Sequence, residues 1–317
     1  MSASCEVHGD ARPALLGAWA KHIDRIAKQG GPEPADYELL ADWFRRAAAA
    51  VGERMVTRND VCTLLAAAEP AIFSGLTMQG LARAQPYGYP GDFELIDRIY
   101  KECVSDYPAL AKWDLFFHAQ PAIRALRHAK SHFCSWLAQA EAGCDAHLPR
   151  VRLLHLGGGP GRELLEYFLE NPGSRIVCDY MDADARAVSY AARTCAPVGV
   201  RVRLQQANPL GFQPAGIPHL IWASGLFDYL DDPNLLCVLR RLWHLLAPGG
   251  QLVSSNFSRS NPSQAYLDLL GWRLHHRDRS DLRRLALQVG VPEEAIRVMA
   301  DPEGVYLFLH LEKRHLT

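Results

Sequence analysis

Residues 151–163 read Val151-Arg152-Leu153-Leu154-His155-Leu156-Gly157-Gly158-Gly159-Pro160-Gly161-Arg162-Glu163. An apolar run of strand length is cut by a glycine-rich turn, and a helical pattern opens at Glu163 and runs to Leu169. Glycines at such a turn let the backbone pass close to a ligand. The amides at the start of the following helix then face that ligand. A dinucleotide-binding turn places its third glycine three residues after its second. Arg162 stands there instead, and the glycines fall at 157, 159 and 161, with Gly158 between the first two.

Downstream, short apolar strands alternate with helices. Arg175–Met181 reads as a second strand and Ala185–Arg193 as the helix after it. Val200–Leu204 and His219–Ala223 read as the third and fourth strands. Helix Leu235–Leu246 stops at Pro248-Gly249-Gly250, ahead of a fifth strand, Gln251–Ser255. Such alternation builds a parallel sheet with helices on both faces. The tail breaks the rhythm: Ala295–Met299 and Val305–Leu311 are joined by Asp301-Pro302-Glu303-Gly304, a link too short for anything but an antiparallel pair. The expected fold is therefore α/β, a Rossmann-like seven-stranded sheet, parallel with a C-terminal antiparallel hairpin.

Upstream, Pro13–Ala140 reads almost entirely as helix, with apolar residues such as Leu15, Trp19 and Ile23, or Leu40, Trp43 and Phe44, at helical spacing. One interruption, Gln85-Pro86-Tyr87-Gly88-Tyr89-Pro90-Gly91-Asp92, cannot continue a helix and reads as an ordered turn. Two domains are expected: 1–142, all helical, and 143–317, the sheet domain.

The 317 residues are 49% hydrophobic and 22% charged, with a formal net charge of −1. That balance suits a folded globular chain and argues against nucleic acid, whose phosphates demand clustered Lys and Arg. No apolar run reaches the length that spans a bilayer, and the first twenty residues carry acids rather than a signal peptide's apolar stretch. The 8 cysteines are scattered without a C-x-x-C pair. A reduced, cytoplasmic setting is expected. His128 and His132 have the i, i+4 spacing of zinc helices but lack the intervening Glu, so no metal is expected.

Asp182, at the end of the second strand, can accept from both hydroxyls of a ribose through its two oxygens. Asp184 is the better cap for the helix that follows. The fourth strand runs into Ser224-Gly-Leu-Phe227-Asp228-Tyr229-Leu-Asp-Asp232. In an open parallel sheet, ligands sit beyond the carboxyl ends of the strands. Phe227 and Tyr229 can offer an aromatic wall to a cationic sulfur, or simply pack under the next helix. Arg124 and Arg127 share a helix face and can fork a carboxylate, and a solvated basic face accounts for them equally.

Taken in order, the G-x-G-x-G turn, Asp182, the strand-four loop and Pro248-Gly249-Gly250 resemble the class I methyltransferases over residues 150–311. The resemblance implies S-adenosylmethionine as cofactor and S-adenosylhomocysteine as product. Gly157, Gly158, Gly159, Gly161, Asp182, Asn208, Ser224 and Tyr89 are the implied cofactor-binding residues, Asn208 facing the adenine amino group. One departure stands at His155, where the family often carries an acid. The chain is similar to a bacterial subset with an N-terminal helical region, a Tyr-Gly-Tyr-Pro-Gly-Asp-like turn (here Tyr87–Asp92), Asn256-Phe257, and Trp272 followed by Arg277. Members of that subset are often linked to making a hydroxy-fatty-acid methyl ester signal, and related small-molecule enzymes methylate amino acids, including the sulfur of methionine.

Methyl transfer needs alignment and exclusion of water, so the helical domain is expected to be a lid. Phe227, Tyr229, Asn256, Trp272, Arg277 and Arg124 are the candidate substrate contacts, and Tyr229, Asp228 and Tyr89 the candidate catalytic groups. A carboxylate or thioether acceptor needs no base; a hydroxyl or amine does, and Asp228, His275 or His276 would then supply it. The partner is expected to be a small molecule, with a homodimer open. The rivals are a catalytically silent binding protein, an NAD-dependent oxidoreductase and a macromolecular methyltransferase.

Overall fold

A computed structural model describes residues 11–314. The described residues divide into two compact units, each built from separate stretches of chain: 11–91, 101–123 and 262–273 in the first, 92–100, 124–261 and 274–314 in the second.

The first unit is helical. It holds α1 (Ala11–Lys28), α2 (Tyr37–Gly52), α3 (Arg58–Ala68) and α4 (Met78–Ala84). Its core is an aromatic nest: Trp19 meets Trp43 edge-on at 5.8 Å, and Phe44 sits 4.8 Å from Tyr266. Thr57 caps α3 by a reciprocal box with Asp60, satisfying two amides that the first turn leaves open. The turn at 85–91, with Tyr87 and Tyr89 both half-buried, follows α4.

The second unit opens with α5 (Phe93–Tyr100), capped by Asp92, whose Oδ1 accepts from the Glu94 and Leu95 amides at 3.0 Å each. The first unit resumes with α6 (Pro108–His118); α7 (Pro121–Gly143) belongs to the second from Arg124 on. Seven strands follow: β1 (Val151–Leu156), β2 (Ile176–Asp182), β3 (Val202–Gln206), β4 (Leu220–Ala223), β5 (Gln251–Phe257), β6 (Ile296–Ala300) and β7 (Tyr306–Glu312). They lie in the order β3-β2-β1-β4-β5-β7-β6. All pairs are parallel except those of β7 with β5 and β6, as expected from the tail. The helices between them are α8 (Arg162–Glu170), α9 (Ala185–Thr194), α10 (Asp232–Leu245), α11 (Gln264–Leu270, in the first unit) and α12 (Arg279–Gln288).

Every residue of β4 is buried, the mark of a central strand covered on both faces. On one face Trp222 packs against Phe133 and Trp136 of α7, at 5.1 and 5.5 Å. On the other, Ile221 joins Leu154, Leu239, Leu242 and Leu285 in a single core. Strand order reverses between β1 and β4, which opens a crevice beyond their carboxyl ends.

The expected cut at 142/143 does not coincide with these units. Much of α7 packs on the sheet because Phe133 and Trp136 bury a large aromatic area there. Conversely, α11 leaves the sheet's sequence to fill the helical unit with Tyr266.

Candidate active site

The turn after β1 is shaped by what lies beneath it. A Cβ on Gly158 would stand 2.1 Å from Tyr180 Cε2 and 2.7 Å from His155 Nδ1, so only glycine fits. Gly161 has φ +67° and is the N-cap of α8, a left-handed conformation that costs other residues about 1–2 kcal/mol. Gly159 faces open space, with nothing within 4 Å of the place its Cβ would take. The Tyr180 hydroxyl donates to the Gly159 carbonyl at 2.6 Å, holding the turn from below.

Asp182 ties the turn to β2. Its Oδ2 accepts from the Gly159 amide at 3.0 Å and its Oδ1 from the Asp184 amide at 2.9 Å. Burial raises its pKa against the pull of those two amides. Each carboxylate oxygen can accept again, so the group is positioned without being saturated. Asp184 caps α9 through the Arg186 amide. Asn208 is exposed and forms a turn of its own, Oδ1 accepting from the Leu210 amide at 2.8 Å.

Sequence reasoning missed the clamp on this turn. Arg162, standing where a dinucleotide motif has its third glycine, makes a bidentate pair with Asp97 of α5 at 2.7 and 3.1 Å. The Tyr190 hydroxyl donates to the same carboxylate at 2.7 Å. Asp97 is 1% exposed, and a buried acid at the centre of an otherwise amphipathic α5 was the available signal. His155, under the turn, lies with its Nε2 3.3 Å from Oε1 of buried Glu163.

Beyond β4 lies a chain of hydroxyls. Ser224 Oγ is 2.8 Å from Ser255 Oγ, which donates to the Tyr306 hydroxyl at 2.8 Å; that hydroxyl donates to Asp228 Oδ2 at 3.1 Å. Asp228 Oδ1 accepts from the Phe257 amide at 2.6 Å. Ser255, Tyr306 and Asp228 are buried, whereas Ser224 is half-exposed at the strand end. Burial pushes the Asp228 pKa up to about 7, against its hydrogen bonds and the Arg277 charge. A carboxyl whose folded pKa is raised favours its neutral form, so its contribution falls as pH climbs from the ordinary value of 3.8 to about 7. Wild type should therefore lose stability relative to Asp228→Asn between those pH values, read as urea midpoints at pH 5 and 8. An identical gap at both would show that the carboxyl does not titrate there.

Several expected substrate contacts are spent elsewhere. Phe227 is fully buried in the core beside Leu156, Ile221 and Leu239, so it packs rather than lines a wall. Asn256, equally buried, donates to the His275 carbonyl at 2.7 Å and accepts from Arg277 at 2.8 Å. Arg277, 3% exposed, also binds Asp232 and the carbonyls of Phe227 and Leu230. Arg124 forks a carboxylate, but the one on Glu303, at 2.7 and 2.8 Å. Among the aromatic candidates, Tyr229 remains exposed at 38%. Tyr89, half-buried, and Trp272, buried, belong to the helical unit. The His275 amide bonds the Asp228 carbonyl at 2.7 Å, while His276 lies 3.3 Å from the Asn261 amide. His128 faces Asp301 and His132 faces His310, so the helical pair has separate partners.

No family model matches the chain, and no curated protein does. Solved structures do. A possible exported protein from Bordetella parapertussis is similar at 17% identity with a TM-score of 0.58, over 98% of this chain and 100% of that one. The citrinin polyketide synthase CMeT domain is similar at 14% identity with a TM-score of 0.55, over 97% of this chain and 91% of that domain. The fold is α/β and Rossmann-like, a seven-stranded mixed sheet preceded by a helical region. Among the described residues, no helix is long and apolar enough to cross a membrane, and no group of three or more His, Cys, Asp or Glu converges on one point.

Proposed function

We propose that this chain transfers the methyl group of S-adenosylmethionine to a small metabolite. The observation that carries the reading is the turn–carboxylate pair: Gly159, open to approach, with its amide held by Asp182. The cofactor's residues fit it: Asp182 has acceptor capacity for two ribose hydroxyls, Gly157 to Gly161 offer backbone, and Asn208 and Ser224 edge the same strand ends. When bound, S-adenosylmethionine supplies an electrophilic methyl; the chain's own part is alignment, exclusion of water and, for some acceptors, a place for a proton. Arg162, locked to Asp97, disfavours the NAD-dependent reading. Seven described cysteines are free, which supports a reducing, cytoplasmic setting.

The resemblance favours an acceptor bearing a carboxylate, a hydroxy fatty acid or an amino acid. Neither Arg124 nor Arg277 is available to hold that carboxylate, so recognition falls to other groups of the second unit, such as the exposed Tyr229. The hydroxyl chain favours a second reading, an acceptor that sheds a proton, such as a hydroxyl or amine. Ser224 would take that proton and pass its own to Ser255, thence through Tyr306 to Asp228.

Calorimetric titration with S-adenosylhomocysteine, set beside NADH, tests the first claim; binding of NADH alone would sink it. Transfer of labelled methyl to a panel of hydroxy fatty acids, amines and amino acids then separates the acceptors. For a protic acceptor, Tyr306→Phe should lower turnover about 10²–10⁴-fold, the range of general acid–base contributions, with S-adenosylhomocysteine affinity unchanged. Unaltered turnover would reject the relay.

A further inference from the structure

The ends of β5 and β7 away from the glycine turn border a cavity of about 510 Å³, closed on one side by α7. His132 of α7 and His310 of β7 both line it, with their Nε2 atoms 3.1 Å apart. The geometry points to a site for one divalent transition-metal ion of the imidazole-binding kind (Cu2+, Ni2+ or Zn2+), held by these two nitrogens with cavity water completing its shell.

The spacing is that of a chelating pair. Imidazole nitrogens lie about 2.0–2.1 Å from such an ion, so two nitrogens at the observed separation subtend an angle of about 98° at the metal, between square-planar and tetrahedral values. The rings are mutually inclined at 75° with centroids 5.2 Å apart. The His132 ring is fixed against Phe308 at 4.2 Å and Trp222 at 6.1 Å. Both ligands therefore sit on regular elements, a helix and a strand paired on both sides, by β5 and β6.

Their protonation state suits the role. Burial holds His132 below the ordinary histidine range, and burial together with His132 and Arg297 brings His310 down to about 4. Both rings are neutral at physiological pH, the form that ligates metal. A single hydrogen bond between them satisfies one donor and one acceptor and leaves the cavity-facing arrangement unexplained. Arg297 also lines the cavity and opposes a cation, whereas Glu294 and Glu312 favour one.

The test is calorimetric titration of tag-free full-length protein with CuCl2 and NiCl2, with Cu2+ spin resonance to count coupled nitrogens. One ion per chain and two coupled nitrogens are expected. Losing an outer partner of a metal site costs about 10–100-fold in affinity, so His132→Ala and His310→Ala should each cost at least that. Arg297→Gln should tighten binding several-fold, which incidental binding by other histidines would not do. Absence of binding, or equal binding by wild type and both alanine variants at unchanged thermal stability, would overturn the assignment. If both variants unfold, the nitrogen count on wild type decides, and fewer than two rejects it.

Discussion

Arg277→Met is expected to lower the unfolding free energy by about 3 kcal/mol, the cost of taking a charged donor from neutral acceptors that are largely buried. The guanidinium serves Asp232, Asn256 and the carbonyls of Phe227 and Leu230 at 2.6 to 3.0 Å. Methionine fills much of the volume but donates nothing. The buried Asn256 Oδ1 and the partly buried Leu230 carbonyl would lose this donor, at about 1–3 kcal/mol each before relaxation, while the Phe227 carbonyl would keep the Leu230 amide at 3.2 Å. Asp232 would retain Arg284, so the penalty falls on the loop after β4 and on Asn256. Urea unfolding at neutral pH measures it. A loss within about 1 kcal/mol, the size of an exposed ion pair, would show that the arginine is not a structural tie. A raised acceptor KM would then return it to the substrate pocket.

Asp182→Ala should weaken S-adenosylhomocysteine binding about 100-fold or more. Hydrogen bonds to charged groups are worth about 1.5–3 kcal/mol each, and this carboxylate would lose two to the ribose. The variant also frees the Gly159 and Asp184 amides, which Asp182 now orders. Asp182→Asn separates the two effects: its one carbonyl oxygen can keep a single amide bond while the ribose loses its charged partner. Affinity within threefold of wild type in both variants would remove Asp182 from the cofactor site.

The sheet was legible in the residues because parallel strands are written as apolar runs and their turns as glycine and proline. Val151–Leu156, the glycine turn and the closing antiparallel pair all follow from that grammar. The third strand begins two residues later than its pattern suggests, at Val202, because Ala196–Arg201 coils into a 3-10 turn around Pro197. Asp182 and Asp184 were separable by position alone, and each makes its own set of bonds. The arginines were not. A guanidinium reads the same on the page whether it meets a ligand or a carbonyl of its own chain, and Arg277 and Arg124 meet their own chain. Phe227 was ambiguous for a related reason, since an aromatic at a strand end can turn to the crevice or to the core. The hydroxyl chain was invisible too, because Tyr306 lies 78 residues from Asp228 and only strand pairing unites them.

The placement of α11 bears on how the chain is made. The nest around Phe44 and Phe116 is filled by Tyr266, so the helical unit cannot complete its interior when its first helices leave the ribosome. At about 5–20 residues per second, the interval between residues 118 and 273 lasts roughly 8–30 s. Throughout that time a large aromatic hollow stands open to chaperones. A fragment ending at residue 142 would keep that hollow permanently, and the soluble expression of such fragments should suffer accordingly.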